Sequence, residues 1–129
     1  MHQAPVRVLV VDDQRPFRMA ASAVLRRMPD FTLVGEAETG EDGVRAAAEL
    51  RPDLVLMDVC LPGIDGVAAA GRIHAETPAS VVVLCSSYAR EDLSISLDEP
   101  GVAGYLHKEE LHGPALRELW TRLARRSPA

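Results

Sequence analysis

Five short apolar runs, each followed by a stretch of helical character, divide this chain into repeating units. No other feature narrows its possible folds so far. The runs are Val6–Val11, Phe31–Ala37, Leu54–Met57, Val81–Leu84 and Val102–Leu106. An apolar run too short for a helix and bounded by turn signals reads as a strand buried on both faces. Strands alternating with helices imply a parallel sheet, covered on both faces and joined by right-handed crossovers.

The intervening segments support that reading. The first helix begins near Arg15, places Phe17, Ala20, Ala21, Val24 and Met28 on one face, and stops at Pro29-Asp30. Thr39 is a plausible cap for a second helix that reaches about Leu50, where Arg51-Pro52 ends it. After a turn at Leu61-Pro62-Gly63, a third helix runs from about Asp65 to Ala75 and buries Val67, Ala70 and Ile73. A polar-rich fourth helix is expected from about Arg90 to Asp98. The last starts near Gly113-Pro114 and carries Leu116, Leu119, Trp120 and Leu123 inward, with Trp120 in the core or on a docking surface. With 129 residues, the expectation is one α/β domain over 1–129, a doubly wound (βα)5 unit with no output domain after it.

Composition excludes several classes. Aromatic residues make up only 4% of the chain, so the core must be aliphatic. A net charge of -5 argues against nucleic acid as a direct partner. Arg122, Arg125 and Arg126 read as a solvated helix face near a helix C-terminus. Cys60 and Cys85 form no CxxC pair, and both are expected as reduced, partly buried thiols. No signal-peptide pattern is present, and no apolar stretch nears the ~18 residues of a membrane span. A soluble, cytoplasmic protein without a membrane partner is expected.

Polar residues mark the ends of four of the five runs. Asp12 and Asp13 end the first, Asp58 ends the third, Ser86 lies just past the fourth and Lys108 just past the fifth. In an open parallel sheet the crevice beyond the carboxyl ends of the strands takes ligands. Crowded carboxylates repel, and a divalent cation such as Mg2+, with Mn2+ as a substitute, is their natural partner. Asp13 and Asp58 suit it as direct ligands, Asp12 through a water, and the backbone carbonyl of Cys60 as a further oxygen. One carboxylate can attack a phosphoryl group and form an acyl phosphate. Lys108 would meet charge on the equatorial oxygens, and Ser86 would donate a hydrogen bond to them. A register slip of one residue would put Cys85 or Ser87 in place of Ser86.

These residues resemble the response-regulator receiver domain of two-component signalling over almost the whole chain. Val10-Val11-Asp12-Asp13 is similar to the family's acidic pair. Asp58-Val59-Cys60-Leu61-Pro62-Gly63-Ile64-Asp65-Gly66 fits its acceptor motif, and Gly104-Tyr105-Leu106-His107-Lys108 its fifth strand. The resemblance implies a flavodoxin-like fold with strand order 2-1-3-4-5, Asp58 as the residue phosphorylated by a sensor histidine kinase, and Mg2+ as cofactor. It implies a switch in which Ser86 moves toward the phosphoryl group and Tyr105 turns inward. A bland reading leaves Tyr105 a half-buried strand aromatic. Output, and any homodimer, would run through the fourth helix, fifth strand and fifth helix. Receivers of this look, including those of LuxR/NarL-type regulators, commonly precede a helix-turn-helix domain, so DNA enters only through such a domain in the native protein.

Departures from the pattern bear on the phosphoryl lifetime. Glu109 follows Lys108 where many receivers have proline. Cys60 and Tyr88 stand two past the acceptor and two past the hydroxyl, where family side chains govern the access of water. Neither can orient an attacking water, so slow dephosphorylation is expected, with Tyr88 able to cover the site. Two other functions compete. A pseudo-receiver would act as a phosphorylation-independent interaction module, but its usual mark is loss of the acceptor, acid pair or lysine. An aspartate-based phosphohydrolase wants Asp-x-Asp on the first strand, and here Asp12 is followed by Asp13 and Gln14. The expectation is a switch that assists its own phosphorylation, not an enzyme with a separate substrate.

Overall fold

All five expected strands and four of the five expected helices are present in the computed structural model, which describes residues 4–88 and 99–126, apart from the side chains of 125 and 126. The elements are β1 (Val6–Val11), α1 (Arg15–Arg26), β2 (Phe31–Ala37), α2 (Gly40–Leu50), β3 (Leu54–Asp58), α3 (Gly66–Glu76), β4 (Val81–Ser86), β5 (Val102–His107), a 3-10 turn (Lys108–Glu110) and α4 (Gly113–Arg126). The helix expected from Arg90 to Asp98 falls outside the described residues, as do the side chains of Arg125 and Arg126. All neighbouring strands pair in parallel, in the order β2-β1-β3-β4-β5. This is the flavodoxin-like order.

Alternation inside the apolar runs divides the core in two. Val8, Val10, Leu54, Leu56, Val83 and Cys85 pack on one face of the sheet with Ala21 and Leu25 of α1 and Leu116, Leu119 and Leu123 of α4. Leu9, Val11, Val55, Met57, Val82 and Leu84 pack on the other with Val44 and Ala47 of α2 and Ala69, Ala70 and Ile73 of α3. Successive side chains point to opposite faces of a strand, so a run buried on both sides has to be apolar throughout.

Local signals place most helix ends. Thr39 caps α2, its hydroxyl accepting from Asp42 N–H at 3.0 Å, and Asp65 caps α3, accepting from Ala68 N–H at 2.8 Å. Two expectations fail locally. Ala20 is exposed and Leu25 buried, because the inward stripe of α1 runs through Ala21 and Leu25. Cys60 is exposed and not partly buried, because it sits on the loop past β3. Cys85 is buried, and both thiols are free. Strands β3, β4 and β5 each run past their apolar runs, to Asp58, Ser86 and His107. Among the described residues no helix is long and apolar enough to cross a membrane.

Candidate functional site

The parallel register delivers the marked residues to one edge. Val11 pairs with Met57, Asp58 with Cys85, and Ser86 with His107. Asp12, Asp58, Ser86 and Lys108 therefore leave the sheet side by side. Carboxylate oxygens of Asp12, Asp13 and Asp58 lie within 4.8 Å of one another. Lys108 faces this group: its Nζ is 2.6 Å from Asp12 Oδ2 and 3.5 Å from Asp58 Oδ1. The same ammonium sits 4.6 Å from the ring centre of Phe17 on α1, a cation–π contact that supports the lysine from below.

Asp12 is wholly buried, and each of its polar atoms is engaged. Its N–H donates to the Ala37 carbonyl at 3.0 Å. Oδ1 accepts from Gln14 N–H at 2.8 Å, and the carbonyl accepts from Arg18 Nη1 at 2.7 Å. Among the described residues, Oδ2 has no neighbouring donor but the Lys108 ammonium. Asp13, by contrast, is exposed and opens the cluster to solvent.

Burial raises the Asp58 carboxyl to about 6, and the nearby Asp12 charge adds to the rise; Lys108 and the Cys60 amide oppose it only in part. Burial pulls the Lys108 ammonium down, but the hydrogen bond to Asp12 and the charges of Asp58 and Asp12 more than offset it and hold the group above its ordinary value. The lysine is therefore a fixed cation at neutral pH. The carboxylates carry charge that the protein does not fully neutralise. This hard, all-oxygen donor set fits a small divalent cation.

The three candidates for the hydroxyl position stand in different settings. Cys85 lies in the core on the α1/α4 side, with its thiol pushed up to about 12 by burial, and Ser87 is exposed. Ser86 is buried at the end of β4, and its Oγ accepts from Tyr88 N–H at 3.0 Å. The Tyr88 carbonyl accepts from the Tyr105 hydroxyl, so the β4 end and β5 are joined through the backbone of Tyr88. The Tyr88 ring stands 63% exposed. After Lys108, the 3-10 turn takes the place of the proline: His107 Nδ1 accepts from Glu109 N–H at 3.1 Å.

Three contributors carry no distinct signal in the sequence. Phe17 reads there as core alone. Gly66 reads in the sequence only as part of a motif, yet a Cβ there would lie 2.1 Å from the Asp58 carbonyl oxygen, so the loop after Asp58 closes only over glycine. Arg18 was not singled out, although helical spacing sets it on the stripe of Ala21 and Leu25.

Comparison with known proteins agrees with this geometry. The family model described as the response regulator receiver domain matches residues 8–119. The transcriptional regulatory protein LiaR of Bacillus subtilis is 38% identical over 103 residues, covering 80% of this chain and 49% of LiaR. The nitrate/nitrite response regulator protein NarL of Escherichia coli K12 is 32% identical over 108 residues, covering 84% of this chain and 50% of NarL. The chain thus spans about half the length of the curated relatives it matches. The crystal structure of the response regulator domain of Thermotoga maritima CheB superposes with a TM-score of 0.83 at 28% identity, covering 96% of this chain and 99% of that one.

Proposed function

We propose, from the premise that this chain belongs to the response regulator receiver domain family, that residues 1–129 form one receiver domain, which takes a phosphoryl group on Asp58 from a sensor histidine kinase. The observation that carries the reading is the meeting of three carboxylates within 4.8 Å with an ammonium 2.6 and 3.5 Å from two of them. Receiver domains in general bind Mg2+ at an acidic pocket. Here Asp13, Asp58 and the Cys60 carbonyl would hold it, with Asp12 acting through water. The cation would supply positive charge against the equatorial phosphoryl oxygens.

The chain's own residues do the rest. An Asp58 oxygen attacks the phosphorus of a phosphohistidine; the new O–P bond forms as the N–P bond breaks, and the imidazole leaves. Lys108 is already positioned beside Asp58 and neutralises charge on the transferred group. Ser86 exchanges its contact with Tyr88 N–H for one with the phosphoryl group, and this exchange releases Tyr88 and with it Tyr105. A local charge change thereby biases a two-state element. Cys60 and Tyr88 offer no group that activates water, which favours a long-lived phosphoryl state.

As for a receiver joined to a helix-turn-helix unit, DNA contact is assigned to an output domain only where the native protein carries one, and any homodimer to a surface that includes β5 and α4. The setting is cytoplasmic, and the domain turns over no separate substrate. The test is intact mass after treatment with acetyl phosphate and Mg2+. The expected result is one phosphoryl group on the wild type and none on Asp58→Asn. Equal gain on the variant would refute Asp58 as acceptor, and no gain on the wild type would favour a pseudo-receiver. Turnover of a small phosphoester would favour the phosphohydrolase.

A further inference from the structure

We propose that Arg18 is a positioning residue for the acidic loop: its guanidinium pins the Asp12 carbonyl and so sets how the Asp12 and Asp13 carboxylates are presented to a cation. The inference rests on the reading above that this cluster takes a divalent ion.

Arg18 lies one turn into α1, and its side chain is only 12% exposed despite its charge. Three acceptors surround the guanidinium. Nη1 donates to the Asp12 carbonyl at 2.7 Å, Nε faces Glu36 Oε1 at 3.3 Å, and Nη2 faces Glu38 Oε1 at 3.3 Å. Glu36 belongs to β2 and Glu38 follows it, so a single planar fork joins the end of β1, the first turn of α1 and the end of β2. A lysine could not bridge all three, since its charge is a point and not a rigid fork.

The loop needs this hold. Gln14, at the N-cap of α1, makes no side-chain capping bond. The other atoms of Asp12 are already tied to Ala37, Gln14 and Lys108. Its carbonyl is the atom that orients the peptide plane leading to Asp13, and Arg18 fixes it. Asp13 is exposed, so burial does little to aim it. Freed from the arginine, it would lose conformational entropy on meeting the cation, and affinity would fall. The two glutamates keep the guanidinium in place, and also balance a cation that would otherwise repel the incoming ion.

The experiment titrates Mg2+ into wild type, Arg18→Met, Arg18→Lys and Arg117→Met. It also measures amide hydrogen exchange at Asp13 and Gln14 without metal. Arg18→Met should weaken Mg2+ binding about tenfold, the scale seen when a ligand's supporting contact is lost, and should speed exchange at both amides. Arg18→Lys keeps one donor for the Asp12 carbonyl and should recover part of each effect. Arg117→Met cuts the ion pair with Asp30; it should lower stability but leave affinity and the two amides unchanged. Wild-type affinity and wild-type exchange in Arg18→Met would overturn the proposal. If that variant does not fold, wild-type values in Arg18→Lys would do the same. A wild type that binds no Mg2+ would refute the reading of the site instead, and metal-free exchange would still decide whether Arg18 orders the loop.

Discussion

Replacing Asp58 with asparagine should make the protein more stable at neutral pH, although it removes the proposed acceptor. The folded state lifts the Asp58 carboxyl from its ordinary 3.8 to about 6, chiefly by burial and the Asp12 charge. At about 1.4 kcal/mol for each factor of ten in proton affinity, ionising Asp58 costs the native state at most about 3 kcal/mol. Solvent reaches the cluster on its Asp13 side, and screening roughly halves that figure, to about 1.5 kcal/mol. Below pH 4 the carboxyl is protonated in both states and carries little penalty. Between about pH 4 and pH 6 the folded protein holds a proton that the unfolded chain has lost, so this group makes stability fall as pH rises. Above that window the penalty is complete and constant. Asp58→Asn removes it, giving a gain of about 1.5 kcal/mol at pH 7.5, or a rise in Tm of roughly 4–8 °C for a domain of this size. The gain should shrink to under about a quarter of its full value at pH 4. Urea unfolding of both proteins from pH 4 to 8, without divalent metal, measures the difference. A variant no more stable than wild type at pH 7.5 would refute the reasoning. So would a gain that persists unchanged to pH 4, which would point to a packing cause. Adding Mg2+ should close part of the gap by stabilising the wild type alone.

Three other perturbations test the rest of the site. Lys108→Met leaves the buried Asp12 Oδ2 without its only neighbouring donor among the described residues; it should cost about 2–4 kcal/mol at pH 7 and abolish phosphorylation, as read by denaturation and intact mass. Gly66→Ala forces a methyl group against the Asp58 carbonyl oxygen, 2.1 Å from the ideal Cβ. Since that neighbour is backbone, the change should cost about 2–4 kcal/mol and slow acceptance of the phosphoryl group, whereas a stable, fully active variant would show that the loop can move. The double change Tyr88→Glu, Cys60→Asn should shorten the phosphoryl half-life about tenfold or more, because it introduces groups able to orient water; unchanged decay of the labelled protein would end the slow-hydrolysis idea.

Much of this molecule was legible in the chain. The five apolar runs named the strands, and Thr39 and Asp65 marked helix starts that the structure confirms by side-chain hydrogen bonds. These signals are local: periodicity and capping act over a few residues and survive any tertiary context that keeps the element. The strand order came from resemblance, since pairing between distant segments leaves no trace in a single sequence. Errors fell where local pattern met three-dimensional packing. Ala20 fits an apolar face by spacing, but the stripe that meets the sheet runs through Ala21 and Leu25 instead. The apolar runs stop short of the strand ends because Asp58 and Ser86 are polar, though both continue their ladders.

The sequence by itself determined the α/β class, the two-sided burial of the strands and the candidate residues Asp12, Asp13, Asp58, Ser86 and Lys108, because each depends on residue type and on near neighbours. Only the tertiary structure decided that Lys108 lies against Asp12 more closely than against Asp58, that Phe17 lies beneath it, and that Arg18 ties the acidic loop to β2. Those contacts join residues from separate elements, and their distances follow from how parallel strands are registered and helices laid across them. Electrostatic energies depend on such distances and on burial, so the charge balance of the site emerges only when the chain has closed around it.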